Sequence, residues 1–416
     1  MNSYDEFYSY TSKDSLQNNF KQDRVDDQLY EKILKAIRDQ VVKYLKVIYI
    51  TVKEEDDAYT IFETLNARGM DLSFVDLIKN KIFKSFNTKH PDDFAKTNWK
   101  KLRNTISSRN GVGNLETFVR HWWISRYNYT SADNVYKHFK KRWNSGAIDS
   151  EFFLDELVSD ASIYIKISSP IIEDFKQQEK KDLYRSLLAL KIFNVSQQKP
   201  FILSLFKALD QKKLQLSQVK EILAFIEKFH FSFNAICSMR PSGIDKSYSK
   251  AAIQLLETTN KRDCKVVLDE LQQRLKTRIP AKSTFIEKFS ELKYINNYTK
   301  NRKLIQYIFS YIESIKQTTN EFKPDSMTLE HILPQSSSNQ DFVGSIGNLL
   351  PLGVELNKQA DNKQFLRKIE IYKESNFMLT QEFVKNAPKQ WTEEEIKKRT
   401  TDLAEYCYDS MWVINQ

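Results

Sequence analysis

At 328–335 the chain reads Thr-Leu-Glu-His-Ile-Leu-Pro-Gln, and this run decides the C-terminal fold together with Ile-Gly-Asn-Leu at 346–349 and Leu-Asn-Lys at 356–358. Pro334 limits how far regular structure continues, so the first run predicts a short strand that ends in a loop. The second run continues as apolar residues interrupted by glycine and proline, which suits the partner strand of a hairpin. The third run begins a helical pattern, with Asn357 near its start, where asparagine is a favoured cap.

Glu330 and His331 put a hard oxygen ligand beside a group that accepts a proton near neutral pH. Metal-assisted hydrolysis of a phosphodiester needs both kinds of group. The pair alone is weak support, because a solvated turn explains it as well. Neighbouring residues on a strand also point to opposite faces, so the two side chains converge only if the strand ends there.

The order of a strand with Glu-His, a loop, a strand with Asn and a helix with Asn resembles the ββα-metal finger of HNH nucleases. In detail it resembles the DUF1524 type found in GmrSD-like type IV restriction enzymes. The shared signature is an acidic-His-x-x-Pro-Gln run, a Gly-Asn-Leu run and a downstream Asn. The resemblance implies an HNH endonuclease that hydrolyses DNA phosphodiester bonds.

The resemblance also assigns roles to the residues of the signature. It implies that His331 is the general base that activates water, and that Glu330 and Asn357 hold one divalent cation. It groups Asn348 with the catalytic residues because this side chain braces the loop that carries His331. Oxygen ligands favour Mg²⁺ or Mn²⁺, and asparagine at the last position speaks against tight zinc binding.

Four basic residues follow on the expected helix, namely Lys358, Lys363, Arg367 and Lys368. They are candidates for contact with the DNA backbone, since phosphates are bound chiefly by lysine and arginine. A solvated helix face is at least as good an interpretation of any one of them.

The segment 61–80 predicts a helix stopped by Gly69, a loop, and a second helix capped by Ser73. It resembles the later part of a DUF262 (ParB-like) domain, the usual companion of DUF1524. The Asp-Gly-Gln-Gln-Arg motif of that family, which serves nucleotide binding, is not found in this sequence. The expectation is therefore a shortened chain or one half of a split system, with a partner protein carrying the nucleotide-binding half. Asn66, Arg68 and Asp76 are interpreted as turn and cap residues, and the alternative is that they complete a nucleotide pocket in trans.

The composition of the 416 residues predicts a mainly α protein, because glycine (8) and proline (9) are scarce for a β-rich or dinucleotide-binding architecture. Lysine and arginine (64) exceed aspartate and glutamate (54), and the net charge of +10 favours an anionic partner. Three scattered cysteines indicate neither a disulfide framework nor a thiolate zinc site, which fits a reducing cytoplasm. No long apolar run or signal peptide suggests a membrane role.

The middle of the chain reads as one helix after another. Trp122, Trp123 and the phenylalanines between 225 and 233 have spacings that suit core packing, although a base-stacking platform is the alternative. His121, His138 and His230 lack a ligand partner at helical spacing and are interpreted as structural or exposed. Lysines and an arginine at 137–142 form a basic cluster that either touches DNA or is solvated.

These observations predict a multi-helical protein with a C-terminal ββα-metal finger and a small N-terminal α/β remnant. The expected domains are the later portion of a DUF262 domain at 1–90, a helical middle domain at 91–279 and the DUF1524 nuclease domain at 280–416. The expected function is DNA cleavage in anti-phage defence or in restriction of modified DNA. The alternatives are a non-catalytic nucleic-acid-binding or assembly subunit of a split complex and, third, a regulator of an NTP-driven complex.

Overall fold

The structure of the chain is a computed structural model, which describes residues 27–46, 51, 73–86, 94–296, 298–317, 327–337 and 340–412. The chain divides into two compact units, 1–72 and 73–416. In the first unit, apolar residues recur at helical spacing between Leu29 and Leu45, which predicts a helix, and helix α1 (Asp27–Tyr44) forms there. The run Lys-Val-Ile-Tyr-Ile-Thr-Val at 46–52 is rich in β-branched and aromatic residues and predicts a strand. Most of it, together with Asn66 and Arg68, lies outside the described residues.

The second unit is mainly helical, which confirms the predicted class for the described part of the chain. Up to the C-terminal hairpin, its α-helices are α2 (Phe74–Ser85), α3 (Phe94–Ser107), α4 (Leu115–Arg126), α5 (Ala132–Asn144), α6 (Ser150–Ser168), α7 (Lys181–Ile192), α8 (Lys199–Asp210), α9 (Leu216–His230), α10 (Ile244–Glu257), α11 (Lys261–Lys276), α12 (Lys282–Ser290) and α13 (Arg302–Lys316). Short 3₁₀ turns (Ile172–Phe175, Gln178–Lys180) precede α7, and a π-helical turn (Phe231–Ile236) extends α9.

Side-chain caps fix where several of these helices begin. Ser73 accepts a hydrogen bond from the backbone N–H of Asp76 at 3.2 Å, as the sequence predicts for α2. Asn114, Asp149 and Asn260 cap α4, α6 and α11 in the same way. Each cap satisfies a backbone donor that the first turn of a helix leaves unpaired.

Large aromatic side chains fill the core of the helical region. Trp122, Trp123, Phe229, Phe231 and Phe233 are all buried and belong to one continuous hydrophobic cluster. Their burial confirms the core interpretation, because a base-stacking platform requires exposed rings. Two of the histidines are likewise structural: His121 bonds Tyr164, and His230 bonds Asn234 and Tyr248.

A buried charge network ties α4, α6 and α8 together. Asp160 on α6 is almost fully buried, where it pairs with Arg126 and accepts a hydrogen bond from the indole N–H of Trp122 at 2.8 Å. Lys207 on α8 reaches Glu156 at 2.5 Å and Asp160 at 3.3 Å. Because charges out of water are costly when unpaired, removal of one partner is expected to destabilise the fold.

We predict that Asp160→Ala lowers the free energy of unfolding by about 3 kcal/mol, because the Arg126 charge stays buried with one partner fewer. The matched control is Asp182→Ala, which removes an exposed carboxylate from its pairs with Arg185 and Lys220 and should cost less than about 1 kcal/mol. Urea unfolding followed by circular dichroism measures both, and equal costs would contradict the structural role given to Asp160.

The C-terminal region contains the predicted hairpin. Strand β1 (Met327–His331) pairs antiparallel with β2 (Leu349–Gly353), with Glu330 opposite Leu350 and His331 opposite Leu349. Between them lie a short helix α14 (Gln340–Val343) and a 3₁₀ turn (Ile346–Asn348). The hairpin is followed by α15 (Val354–Ala360), α16 (Phe365–Tyr372), α17 (Met378–Lys385) and α18 (Glu393–Trp412).

Helix α15 begins directly at the end of β2 and packs against both strands, so the strand, strand and helix form one small unit. The helix starts earlier than the sequence indicates. Gly353 is its N-cap, so the expectation that Asn357 caps it is wrong. The run Thr-Glu-Glu-Glu at 392–395 has the pattern of a capping box and predicts the start of a helix. Helix α18 begins after Thr392, whose hydroxyl accepts from the N–H of Glu395 at 3.4 Å, as this pattern predicts. Among the described helices, none is long and apolar enough to cross a membrane.

Candidate functional site

A cavity of about 510 Å³ opens beside the hairpin and brings the main candidates together. Glu330, His331 and Asn357 all line it, although Glu330 and His331 are neighbours on a strand. Convergence is possible because His331 is the last residue of β1, where the alternation of the strand ends. These three candidate residues, which are separated in sequence or lie side by side on a strand, therefore line the same cavity.

His331 is held in one tautomer by the backbone. Its Nε2 lies 2.9 Å from the carbonyl oxygen of Tyr294, which can only accept, so Nε2 carries the proton. The ring of Tyr294 stacks on the imidazole with centroids 5.6 Å apart. Nδ1 is left as the basic atom, and the amide nitrogen of Gln335 donates to it across a long 3.3 Å.

Burial lowers the pKa of His331, and the charge of Lys368 lowers it further, while the hydrogen bond to Tyr294 acts in the opposite direction. His331 is 6% exposed. The imidazole is therefore neutral at pH 7 and has its lone pair on Nδ1, which is the state that a general base requires.

Glu330 is held by two donors from α16. Its Oε1 accepts from Nζ of Lys368 at 2.6 Å and from the hydroxyl of Tyr372 at 2.9 Å. Burial raises the pKa of this carboxyl, while the ammonium of Lys368 opposes that rise. Both donors lie on Oε1, so Oε2 is the carboxylate oxygen that retains capacity for a further ligand.

Lys368 does not lie on an exposed face, which corrects the expectation that it contacts phosphate. It is 1% exposed, and its Nζ donates to Glu330 and, at 2.5 Å, to the carbonyl oxygen of His331. One residue corresponds to about 100° of helical rotation, so Arg367 points to solvent while Lys368 points to the hairpin. Lys358, Lys363 and Arg367 are exposed, as the phosphate-contact hypothesis requires.

Asn357 reaches across to β1 from the first turns of α15. Its amide nitrogen donates to the hydroxyl of Thr328 at 2.7 Å, and that hydroxyl donates to the carbonyl oxygen of Leu352 at 2.7 Å. The amide is thereby oriented with its nitrogen engaged, so the carbonyl oxygen is the atom that can accept a ligand.

Asn348 is fully buried and does not line the cavity. Its carbonyl oxygen accepts from the N–H of Leu333 at 2.8 Å and from the indole of Trp391 at 2.9 Å. Its amide nitrogen donates to the carbonyl oxygens of Leu333 at 3.0 Å and Val343 at 2.8 Å. Two of these four bonds hold Leu333, two residues after His331, and the other two anchor Asn348 to Val343 and Trp391, so the contacts of Asn348 are those of a positioning residue.

Helix α18 packs closely against the turn that carries Asn348. Arg399 is half-buried, and its guanidinium donates to the carbonyl oxygens of Gly347 at 2.5 Å and Leu349 at 2.8 Å. Burial lowers the pKa of Arg399 to about 10, which leaves it charged at neutral pH. A Cβ at Gly347 would overlap the Thr400 hydroxyl and the Ile396 carbonyl, which explains the glycine of the signature.

We predict that Gly347→Ala lowers the free energy of unfolding by about 1–3 kcal/mol, because the methyl group must displace helix α18. Gly353→Ala is the matched control: a methyl group added there would meet no atom of a non-neighbouring residue within 4 Å, so the expected cost is that of a less favourable N-cap, below about 1 kcal/mol. Thermal unfolding of the two variants gives the comparison, and a tolerated Gly347→Ala would overturn the close-packing explanation.

The residues that sequence reasoning missed are Tyr294, Thr328 and Arg399, together with the true role of Lys368. Tyr294 acts through its backbone carbonyl, which has no side-chain signature. Arg399 lies 50 residues from Leu349 in sequence, and its packing partner is a backbone oxygen. For Lys368, its position one residue after Arg367 on a helix was a usable signal, since adjacent residues on a helix face different directions.

The donor atoms in the cavity fit a hard cation better than zinc. Glu330 supplies a carboxylate and Asn357 an amide oxygen, which are ligands of the kind that Mg²⁺ and Mn²⁺ take. Within the described ranges, no group of three or more His, Cys, Asp or Glu could hold a metal ion. A cation here would therefore need further oxygen atoms from water or from a phosphate.

Comparison with known families places the chain in a class of nucleases. The family model of GmrSD restriction endonucleases, C-terminal domain, matches residues 279–406, and that of the GmrSD restriction endonuclease N-terminal domain matches residues 2–83. The chain belongs to the GmrSD restriction endonuclease family, as the resemblance predicts. Membership implies a nuclease function in restriction, with DNA as the substrate. The N-terminal match begins well before the segment 61–80 that carries the resemblance to a DUF262 domain. No curated protein matches the chain.

Proposed function

We propose that the chain is a metal-dependent HNH endonuclease that hydrolyses DNA phosphodiester bonds, acting in the cytoplasm in anti-phage defence or restriction of modified DNA. The observation that supports this most is the state of His331. It is neutral, fixed in one tautomer by Tyr294, and shares a cavity with Glu330 and Asn357. A general base beside oxygen ligands is the arrangement that hydrolysis of a phosphodiester requires.

In the proposed reaction His331 acts as the base through Nδ1. A water molecule that replaces the long contact from Gln335 gives its proton to Nδ1 as its oxygen bonds to phosphorus and the bond to the leaving oxygen breaks. The bond from Nε2–H to the carbonyl of Tyr294 then stabilises the imidazolium that forms. Asn348 keeps this geometry through its bonds to Leu333.

Glu330 and Asn357 would hold Mg²⁺ or Mn²⁺ through their side-chain oxygens, in keeping with the donor set of the cavity. A divalent cation supplies charge stabilisation for a non-bridging phosphate oxygen and for the leaving oxygen. Thr328 orients the Asn357 amide through a hydrogen bond. Lys368 and Tyr372 orient the Glu330 carboxylate in the same way.

DNA would reach the cavity along the exposed basic residues of the C-terminal region. Lys358 lines the cavity, and Lys363 and Arg367 lie exposed nearby in sequence. We assign these three to backbone phosphate contacts, which position the substrate without reading its sequence. In the proposed organisation, residues 280–416 form the nuclease domain, 91–279 the helical middle and 1–90 the DUF262 portion, with a partner protein for the nucleotide-binding half.

The alternative of a non-catalytic DNA-binding or assembly subunit keeps the same fold. It predicts DNA binding without cleavage, so the two functions are separated by an activity measurement on the whole chain.

We predict that His331→Ala reduces plasmid nicking with Mg²⁺ or Mn²⁺ by about 10²- to 10⁴-fold, because the base that activates water is lost. His138→Ala serves as the control, since this half-buried histidine lies outside the cavity and should leave the rate unchanged. Nicking by His331→Ala at the rate of the native chain would show that His331 is not the source of the activity. A native chain that shifts DNA in a gel and never cuts it would favour the non-catalytic subunit.

We also predict the pH dependence of cleavage. As the pH falls through the lowered pKa of His331, the imidazole gains a proton and the rate is lost, so the acid limb lies below pH 6.5, the usual value for histidine. Single-turnover rates measured between pH 5 and 8 give this limb. An acid limb clearly above pH 6.5 would contradict the buried, neutral base.

A further inference from the structure

The carboxylate that would bind the metal already carries a cation of the protein's own. Lys368 is buried and places its ammonium 2.6 Å from Oε1 of Glu330, and Tyr372 donates to the same oxygen. The lysine ammonium neutralises the charge of the carboxylate. Its hydrogen bond also occupies one of the two carboxylate oxygens. The negative charge that attracts a divalent cation is therefore largely compensated inside the protein.

The other charged groups on the wall of the cavity add only one carboxylate in excess, and it is exposed to solvent, where its attraction for a cation is screened. Asp361 lines the cavity and is exposed to solvent, while Lys358 lines it too and pairs with Glu355 at 3.0 Å. The described lining thus contains two carboxylates and one lysine. Lys368 compensates Glu330 from outside the lining, and Glu355 compensates Lys358, so the solvent-exposed Asp361 is the carboxylate of the described lining that is left without a paired cation. A divalent cation bound by the protein alone would gain little Coulombic energy here.

A DNA phosphate would change this balance, because it brings a negative charge and non-bridging oxygens to the same space. We propose that Lys368 is a positioning residue that acts as a built-in counter-ion of Glu330, so that the divalent cation binds weakly to the free protein and is recruited together with the DNA phosphate. This inference rests on the proposed nuclease function, and it adds that metal and substrate bind cooperatively. The chain would thereby hold little metal until DNA is in place.

The same ammonium donates to the carbonyl oxygen of His331 at 2.5 Å, so it ties the metal-ligand candidate and the base to one point on α16. Lys368 therefore fixes the relative position of the two groups as well as the charge of the site. Removing one partner of such a buried ion pair is costly, because the other charge stays buried and unpaired.

The first test uses His331→Ala, which prevents cleavage and keeps Glu330, Asn357 and Lys368. Mn²⁺ binding is measured by electron paramagnetic resonance, with and without a DNA duplex. We expect the duplex to tighten Mn²⁺ binding at least about tenfold, and Mn²⁺ to tighten DNA binding by the same factor, because coupling is reciprocal. The double variant His331→Ala, Asn357→Ala is the control: it measures how much Mn²⁺ binds to the DNA itself when a ligand of the site is missing. Equal Mn²⁺ affinity with and without DNA would overturn the proposal.

The second test removes the counter-ion. Lys368→Met should bind Mn²⁺ more tightly than the native chain in the absence of DNA and should show a smaller coupling factor. Lys373→Met is the control, because it removes an exposed lysine just after α16 that pairs only with Glu370 among the described residues. Unchanged Mn²⁺ affinity in a folded Lys368→Met would count against Lys368 as counter-ion. Should this variant fail to fold, the first test decides alone.

The outcomes separate this inference from the proposed function. Cleavage that depends on His331, combined with Mn²⁺ binding that is indifferent to DNA, would refute cooperative recruitment and leave the nuclease intact. Absence of Mn²⁺ binding both with and without DNA, in a chain that never cuts, would refute both.

Discussion

The site depends on one buried interaction, the contact of the Lys368 ammonium with the Glu330 carboxylate and the His331 carbonyl. It joins the end of β1 to helix α16, which follows the hairpin in sequence by about a dozen residues. Without it, a carboxylate and a backbone oxygen would remain buried without their strongest donor, a state that costs several kcal/mol. The positions of both candidate functional groups therefore depend on a residue that touches neither water nor, in the proposed reaction, substrate.

A second layer of contacts holds the other side of the site. Helix α18 packs on the turn before β2, where Arg399 bonds two carbonyls and Gly347 leaves room for the helix backbone. The side chain of Asn348, next to Gly347, forms two hydrogen bonds to the backbone of Leu333 and so fixes the loop two residues after His331. This packing gives a structural role to helix α18, which lies well beyond the signature residues 328–358 in the sequence. A base must stay within a fraction of an ångström of its working position, and packed helices position groups better than free loops.

Much of this could be predicted from the sequence, and the failures have physical causes. The hairpin, the helix after it, the caps at Ser73 and Thr392 and the aromatic core follow from local patterns, because proline, caps and apolar spacing act over a few residues. The starting residue of α15 was missed, since Gly353 carries no side-chain signal of a cap. The roles of Lys368, Tyr294 and Arg399 depend on contacts between segments distant in sequence. Charge alone suggested a DNA contact for Lys368, whereas burial decides its partner.

In the proposed site, Glu330 and Asn357 would bind one cation, and His331 would activate the water that attacks one phosphate. The most direct measurement is a crystal structure of His331→Ala with a DNA duplex and Mn²⁺, in which anomalous scattering locates the ion. We predict a single peak in the cavity, within about 2.3 Å of side-chain oxygens of Glu330 and Asn357 and of a phosphate oxygen, since oxygen ligands of such cations lie at about 2.0–2.6 Å. An ion bound elsewhere on the chain, with the cavity filled only by water while DNA is in place, would contradict the proposed site.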